Sequence, residues 1–292
     1  MNISDQKFYD QVAKRFGGYK SEAIHKSHFP DGNPEEIFLG QLVKYSDKAK
    51  TTLDIGCADG RFTLKIAEKF HKTFGIDISS EMLAKAEQFQ EEQKISNVTF
   101  QKAEAEKLPF QDKYFDLIYS RRGPSPYTEI SRVIKQSGNY LEICIGEKDG
   151  KELKEIFGRG QGFGEWDISV AKTKTDSLKT EGFKVVFVHD YFYSEIYPDM
   201  ENLNLFLQSV PIFKDFDLEK DRKYLLRYSE NFSVSHGVEL KRQGLLLLQK
   251  NYNFMNLPPK KNLKLSAVRL RRLSEFSRGE FLAATGGEMR SD

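Results

Sequence analysis

The sequence predicts an α/β fold, a mostly parallel sheet with helices on both faces, on three observations. Residues 51–63, TTLDIGCADGRFT, read as a buried strand that runs into a glycine-marked turn and then a helix. A second short strand, KTFGIDIS, ends in an acid, Asp77. From Thr51 to Ile145 strand and helix patterns then alternate, as βαβ units require.

The elements follow in order. Ser4 to Phe16 and Asn33 to Lys48 read as two helices, the second opened by Asn33-Pro34, a capping residue followed by proline at the first turn. Thr52, Leu53 and Ile55 make the first strand of the sheet, with Asp54 at its carboxyl end. Gly56 and Gly60 let the backbone turn tightly and approach a ligand that a Cβ would exclude. Arg61 to Phe70 continues as helix, with Phe62, Ile66 and Phe70 on one face. After KTFGIDIS come a helix (EMLAKAEQF) and a third strand (NVTFQKA), then KYFDLIYS as the fourth, and ISRVIKQSGNYLEICIG as helix, turn and fifth strand. FKVVFVHDYFY and GLLLLQK complete the strands. The chain divides into residues 1–50, two helices over a ligand site; residues 51–257, the sheet domain with an insertion or cap at 194–236; and a tail, 258–292. In the insertion Tyr197, Phe206, Phe213, Phe216, Tyr224 and Tyr228 fall at core and cap positions, some lining an apolar pocket.

The loop after the first strand selects the ligand. Asp77 follows Asp54 at close to the roughly 20-residue spacing at which an acid reaches ribose hydroxyls. A dinucleotide site wants GxGxxG under its pyrophosphate, whereas this loop reads Gly56-Cys57-Ala58-Asp59-Gly60. Carboxylates at Asp54 and Asp59 would repel a pyrophosphate and suit a cation. S-adenosylmethionine, cationic at sulfur and carrying a free amino group, fits.

With these motifs the chain resembles, from about Phe8 to Lys250, the class I (Rossmann-like) S-adenosylmethionine-dependent methyltransferases, in the type 11 branch of the ubiquinone and menaquinone biosynthesis enzymes. The resemblance implies a seven-stranded sheet with an antiparallel last strand and helical cap elements. It implies that Asp54, Gly56, Ala58 and Gly60 hold the methionine part of the cofactor, and that Asp77 takes the ribose hydroxyls with Ile78 and Met82 beside the adenine. NVTFQKAEAEKLPF matches the acid-Ala-Glu-x-Leu-Pro-Phe pattern, which puts Glu104 at the adenine amino group next to the Ala105 backbone. With Cys57, Phe62, Glu106, Ser120, Arg121 and Tyr19 these make the candidate cofactor-binding set. The chain departs from the family at Ala58, where glycine is usual, and at Lys135-Gln136-Ser137-Gly138, where Lys-Pro-Gly-Gly is usual. Tyr9, Phe16 and Tyr19 are candidate lid contacts or plain helix packing. Asp77 also reads as a cap for the next helix, and Leu108, Pro109 and Phe110 as core and turn residues.

The acceptor side falls to the loops after strands four and five. Arg121-Arg122 can present a guanidinium to an anionic substrate group, or pair with Glu129 or Asp116. The Asn/Asp-Pro-Pro-Tyr signature of methylation at exocyclic nitrogens is absent here. Residues 157–166, FGRGQGFGEW, lack a Walker lysine and read as an aromatic-tipped substrate lid. Methyl transfer needs a base only for a poor nucleophile, and His25, His189, Asp190 or Tyr127 could serve.

Composition bounds the rest. The 292 residues hold no apolar run near the ~18 that a membrane span needs. MNISDQKFYD is too charged for a signal peptide, and two cysteines, Cys57 and Cys144, suit a reducing, cytoplasmic setting; Cys57 reads as a small buried residue rather than a nucleophile. Scattered histidines, HKSH included, give weak support for a metal. From Pro258 onward eight Lys and Arg face four acids, which leaves the body slightly acidic against a formal total of +2. That tail reads as a poorly ordered or foreign appendage, or as a basic arm. The function expected is S-adenosylmethionine-dependent methylation of a small molecule, with no membrane partner. The alternatives are rRNA or tRNA base methylation and a catalytically inactive S-adenosylmethionine-binding protein. ISRVIKQSGNYLEICIGEKDGKELKEIF also resembles the bacterial 23S rRNA guanine-N1 methyltransferases, but their four-cysteine zinc ribbon does not precede Thr51 in this sequence, and an acidic body suits phosphates poorly.

Overall fold

The structure, a computed structural model, describes residues 3–251; the tail expected at 258–292 lies outside the described residues. Five strands run parallel: β2 (Asp47–Ile55), β3 (Phe70–Asp77), β4 (Val98–Lys102), β5 (Phe115–Arg121) and β6 (Ile134–Ile145), in the spatial order β4-β3-β2-β5-β6. Next to β6 lies β9 (Gly237–Asn251), antiparallel to it and to β7 (Phe183–Tyr197) on its far side. These are the seven expected strands, with the last antiparallel. Two short ones join them: β1 (Lys26–His28) on the edge of β7 and β8 (Ser233–Val234) on β9. Neither carries an apolar alternation, and β1, within the HKSH segment, is exposed throughout.

β2 pairs with both β3 and β5, so the strand order reverses there and opens a crevice beyond the carboxyl ends of these strands. Alternating side chains feed a core on each face. Leu53, Ile55, Ile118 and Tyr140 pack with Ile130 and Val133 of α5 (Tyr127–Val133) and Leu178 of α7 (Val170–Thr180). Leu117, Tyr119, Leu141 and Ile143 face Phe38 and Leu42 of α2 (Pro34–Tyr45) and Ile66 of α3 (Arg61–Ala67). Each such buried side chain stabilises the fold by about 1.5–3 kcal/mol.

Two local expectations are corrected. Helix α3 stops at Ala67 rather than Phe70, because Asn97 Nδ2 donates to the carbonyls of Ala67 and Phe70, and Phe70 already pairs with Asp47 in the sheet. Lys135 to Gly138 do not form a free turn but lie within β6. The pairing steps from Phe115↔Ile134 to Leu117↔Asn139, and Ser137 absorbs the extra residues at φ 68°.

The amino-terminal helix α1 (Ile3–Phe16) sets Phe8, Val12 and Phe16 on Met82 of α4 (Ser80–Gln93). Asp10 accepts a hydrogen bond from Ser79 Oγ at 2.5 Å. The cap consists of α8 (Met200–Ser209), the 3-10 turn Pro211–Phe213 and α9 (Leu218–Asn231). Asp199 caps α8 and Asp217 caps α9. Leu203, Phe206, Phe213, Leu225 and Tyr228 of the cap bury Leu153 and Phe157 of α6 (Lys151–Phe157).

Candidate functional site

A cavity of about 190 Å³ opens at the reversal point. Its walls are Tyr9 and Tyr19 from the amino-terminal segment, Asp54, Gly56, Cys57, Ala58, Asp59, Arg61 and Phe62 from the first strand-to-helix turn, Asp77 from the end of β3, and Arg121, Arg122 and Gly123 after β5.

The turn that forms the floor is self-supporting. Gly56 and Gly60 lie at φ 78° and 70°, and Ala58 is held at φ 48°. Asp77 secures it, because its Oδ2 accepts from the Ala58 N–H and its Oδ1 from the Ser79 N–H, both at 2.9 Å. A carboxylate offers about four acceptor positions, so the side chain keeps acceptor capacity on the cavity side. Ser79, not Asp77, caps α4, through its Oγ to Met82 N. Burial pushes the Asp77 carboxyl upward against these backbone donors. Asp54 accepts from Thr63 Oγ1 at 2.6 Å, and burial pushes its pKa up to about 6. Asp59 takes the Tyr19 N–H at 2.7 Å and pairs with Arg61 at 2.7 Å, which docks the Gly17-Gly18-Tyr19 turn on the floor. A Cβ on Gly18 would sit 2.5 Å from both Arg61 Nη2 and Asp59 Oδ2. Tyr9 and Tyr19 meet edge to face at 5.7 Å between centroids, and burial raises both phenols, so they stay protonated.

On the other wall Arg121 and Arg122 pair with neither Glu129 nor Asp116. Both donate to Glu35 in the first turn of α2, Arg121 Nε at 2.9 Å, and the Arg121 guanidinium lies 5.0 Å over the Phe62 ring. Glu129 is taken by Arg132 and Asp116 by Lys135. Gly123 passes so close over the end of β2 that a Cβ would lie 2.6 Å from the Ile55 carbonyl.

Of the expected set, Asp54, Gly56, Cys57, Ala58, Phe62, Asp77, Arg121 and Tyr19 line the cavity. Gly60, Ile78, Met82, Glu104, Ala105, Glu106 and Ser120 are not among the lining residues. A Cβ on Gly60 would strike the Phe100 ring at 2.5 Å and Ala86 at 2.7 Å, so this glycine serves the packing of α3 on α4 and β4. Met82 is fully buried under α1, Ala105 belongs to the sheet core, and Glu104 and Glu106 are exposed on the turn after β4. Ser120 Oγ donates to the Pro124 carbonyl at 3.0 Å and shapes the loop after β5. Asp59, expected to favour a cationic ligand, and Arg122, expected on the acceptor side, also line the cavity. Sequence reasoning missed the cavity roles of Arg61 and Gly123, and the anchoring role of Glu35. Arg61 lies inside the motif itself, whereas nothing local signals an acid that pairs far along the chain.

The candidate bases fare differently. Tyr127 OH donates to Glu142 at 2.8 Å, within a buried cluster that Lys174 closes. His189 is exposed, Asp190 accepts from Gln243 Nε2, and His25 packs on the Tyr197 ring. None lines the cavity. Among the described residues no group of three or more His, Cys, Asp or Glu is placed to hold a metal, and no helix is long and apolar enough to cross a membrane. Cys57 and Cys144 are buried free thiols that burial pushes up.

A family model described as a methyltransferase domain matches residues 46–158, which contain the turn, Asp77 and the loop after β5. Over these residues the chain matches a methyltransferase domain. YcgJ of Bacillus subtilis, an uncharacterized methyltransferase, is 33% identical over 114 residues, 36% of this chain and 45% of that protein. The solved structure of YcgJ superposes with a TM-score of 0.54 at 18% identity, covering 74% of this chain and 99% of that one. The ubiquinone/menaquinone biosynthesis C-methyltransferase UbiE of Rhizobium leguminosarum is 26% identical, over 53% of this chain and 63% of that one. A longer match, 23% identical over 76% of each chain, is to YxjB of Bacillus subtilis, provisionally named a 23S rRNA (guanine-N(1)-)-methyltransferase. The sequence match to YcgJ spans about half of that protein's length.

Proposed function

We propose that the chain binds S-adenosylmethionine in this cavity and methylates a small molecule entering between the loop after β5, the turn after β6 and the cap. The observation that carries this reading is Asp77: its carboxylate is fixed from below by two backbone N–H groups, with acceptor capacity left for vicinal hydroxyls. Asp54 and Asp59 add the acidic surroundings that a sulfonium and an ammonium favour and a pyrophosphate does not. Arg121, aimed by Glu35, is positioned for the carboxylate of the cofactor's methionine part. When bound, S-adenosylmethionine supplies an activated methyl group.

The chain's own contribution is alignment and the exclusion of water. Tyr9 and Tyr19 close the cavity as neutral phenols. The Tyr19–Asp59 hydrogen bond ties that closure to the floor. With no candidate base on the walls, the reading requires an acceptor whose nucleophile is already competent.

The length of the YxjB match favours RNA as the second reading. Incubation with S-adenosylmethionine labelled in its methyl group, against separate metabolite and RNA fractions, tests the two. Label in the metabolite fraction supports the small-molecule reading, and label confined to RNA replaces it.

A further inference from the structure

Two basic residues lie almost wholly inside the described structure, Arg242 at 8% exposure and Lys154 at 2%. Their surroundings are opposite. Arg242 donates to Asp149 and to Glu195, each at 2.8 Å, and Phe206 and Tyr193 flank its guanidinium. Lys154 has no carboxylate within ion-pair distance among the described residues; its ammonium lies 5.8 Å from the centre of the Trp166 ring, with Asp149 within electrostatic reach. Taking an ammonium out of water is costly, and a cation–π contact returns only a fraction of that cost. The site is therefore under-compensated in a way that Arg242's is not.

The location gives the imbalance a use. α6 follows β6, whose carboxyl end pairs with β5 beside Arg121 of the cavity wall. Arg242 is within electrostatic reach of Lys154 and also of Tyr19 and Arg122 at the cavity. Above Lys154 runs the glycine-rich segment 158–166. A Cβ on Gly160 would press on Lys154 Cγ at 3.0 Å and on the Phe213 ring at 2.8 Å. Arg159, in the same segment, has a buried Nη1 with no partner, although its Nη2 pairs with Asp221.

We propose that Lys154 recognises the methyl acceptor: its ammonium takes a carboxylate or phosphate group of the acceptor, beneath the segment that carries Trp166. The proposal rests on the methyltransferase reading of the neighbouring cavity. Burial lowers the Lys154 pKa, with Asp149 opposing and Arg242 adding to the shift, and an arriving anion relieves that penalty.

Trp166 is the only tryptophan of the chain, so its emission reports on this spot. The full chain, saturated with S-adenosylhomocysteine, is titrated with benzoate, with phenyl phosphate and with uncharged benzyl alcohol. A saturable emission change with benzoate or phenyl phosphate, but not with the alcohol, is expected, and the two anions separate a carboxylate from a phosphate group. Lys154→Met, which keeps the stem, should weaken that response at least about tenfold, with Lys154→Arg retaining part of it. A wild-type emission indifferent to both anions, or an equal response in Lys154→Met, overturns the proposal. Calorimetry with S-adenosylhomocysteine on the same samples separates the layers: failure to bind it overturns the cofactor reading, whereas binding without an anion response overturns the Lys154 assignment alone.

Discussion

At the ends of β2 and β3 the cavity is walled by Asp54, Asp59 and Asp77, while the loop after β5 brings Arg121 and Arg122 to the opposite side, with Arg242 of β9 behind them. The acidic end is built from one continuous stretch plus Asp77, and its hydrogen bonds, the Tyr19 N–H to Asp59 apart, are short-range or lie between the ends of adjacent parallel strands. Each basic group instead depends on distant elements: Arg121 and Arg122 on Glu35 of α2, and Arg242 on Asp149 and Glu195. The two ends should therefore respond differently to perturbation, the basic end through global stability and the acidic end through binding and protonation.

The largest effect is expected at the basic end. Arg242→Met strands two buried carboxylates, and breaking such a pair costs about 3–5 kcal/mol. Thermal unfolding should then begin roughly 10 °C lower for a domain of this size. A fall within about 2 °C would mean that the triad is not a structural hub.

At the acidic end the expected effect is a pH dependence. Asp54 titrates at about 6 in the fold against 3.8 for the ordinary group. Its protonated form is therefore favoured by folding, and the associated stability is fully present below that ordinary value and lost as pH rises through about 6. Asp54→Asn should gain stability relative to wild type as pH rises from about 4 to about 7, by up to about 3 kcal/mol. Urea unfolding at several pH values measures this, and a difference that is flat with pH would contradict the buried-acid account.

The same contrast explains what the sequence revealed. The parallel strands, the order reversal and most of the floor were legible because βαβ periodicity and the Asp54-to-Gly60 turn are local patterns. Motif position points Gly60 and Met82 at the ligand but does not reveal direction, and tertiary packing turns both toward Phe100, Ala86 and α1. Glu35 and Lys154 were not legible. An acid in a first helical turn and a lysine on an ordinary helix carry no signal until distant strands meet.

Smaller effects sharpen the boundary between floor and core. Gly60→Ala forces a Cβ against Phe100 and Ala86 at a left-handed φ of 70°, and overpacking of this kind costs about 1–3 kcal/mol. The melting temperature should drop by several degrees, with cofactor affinity of the folded protein changed less than stability. A large affinity loss without destabilisation would return Gly60 to the ligand site. The smallest effect is expected from deleting residues 258–292, because β9 is paired on both sides by β6 and β7 before that point. A loss of more than about 1 kcal/mol in unfolding free energy would make the tail part of the fold.

The central claim, that the carboxylate ending β3 holds the ribose of an S-adenosylmethionine-type ligand, is tested most directly by calorimetric titration of S-adenosylhomocysteine and, separately, NAD into the wild type and Asp77→Ala. The account predicts saturable binding of S-adenosylhomocysteine, none of NAD, and a loss on the order of 100-fold in the variant, since two hydrogen bonds to a charged group contribute about 1.5–3 kcal/mol each. NAD binding without S-adenosylhomocysteine binding, or an Asp77→Ala affinity within about threefold of wild type, would contradict it.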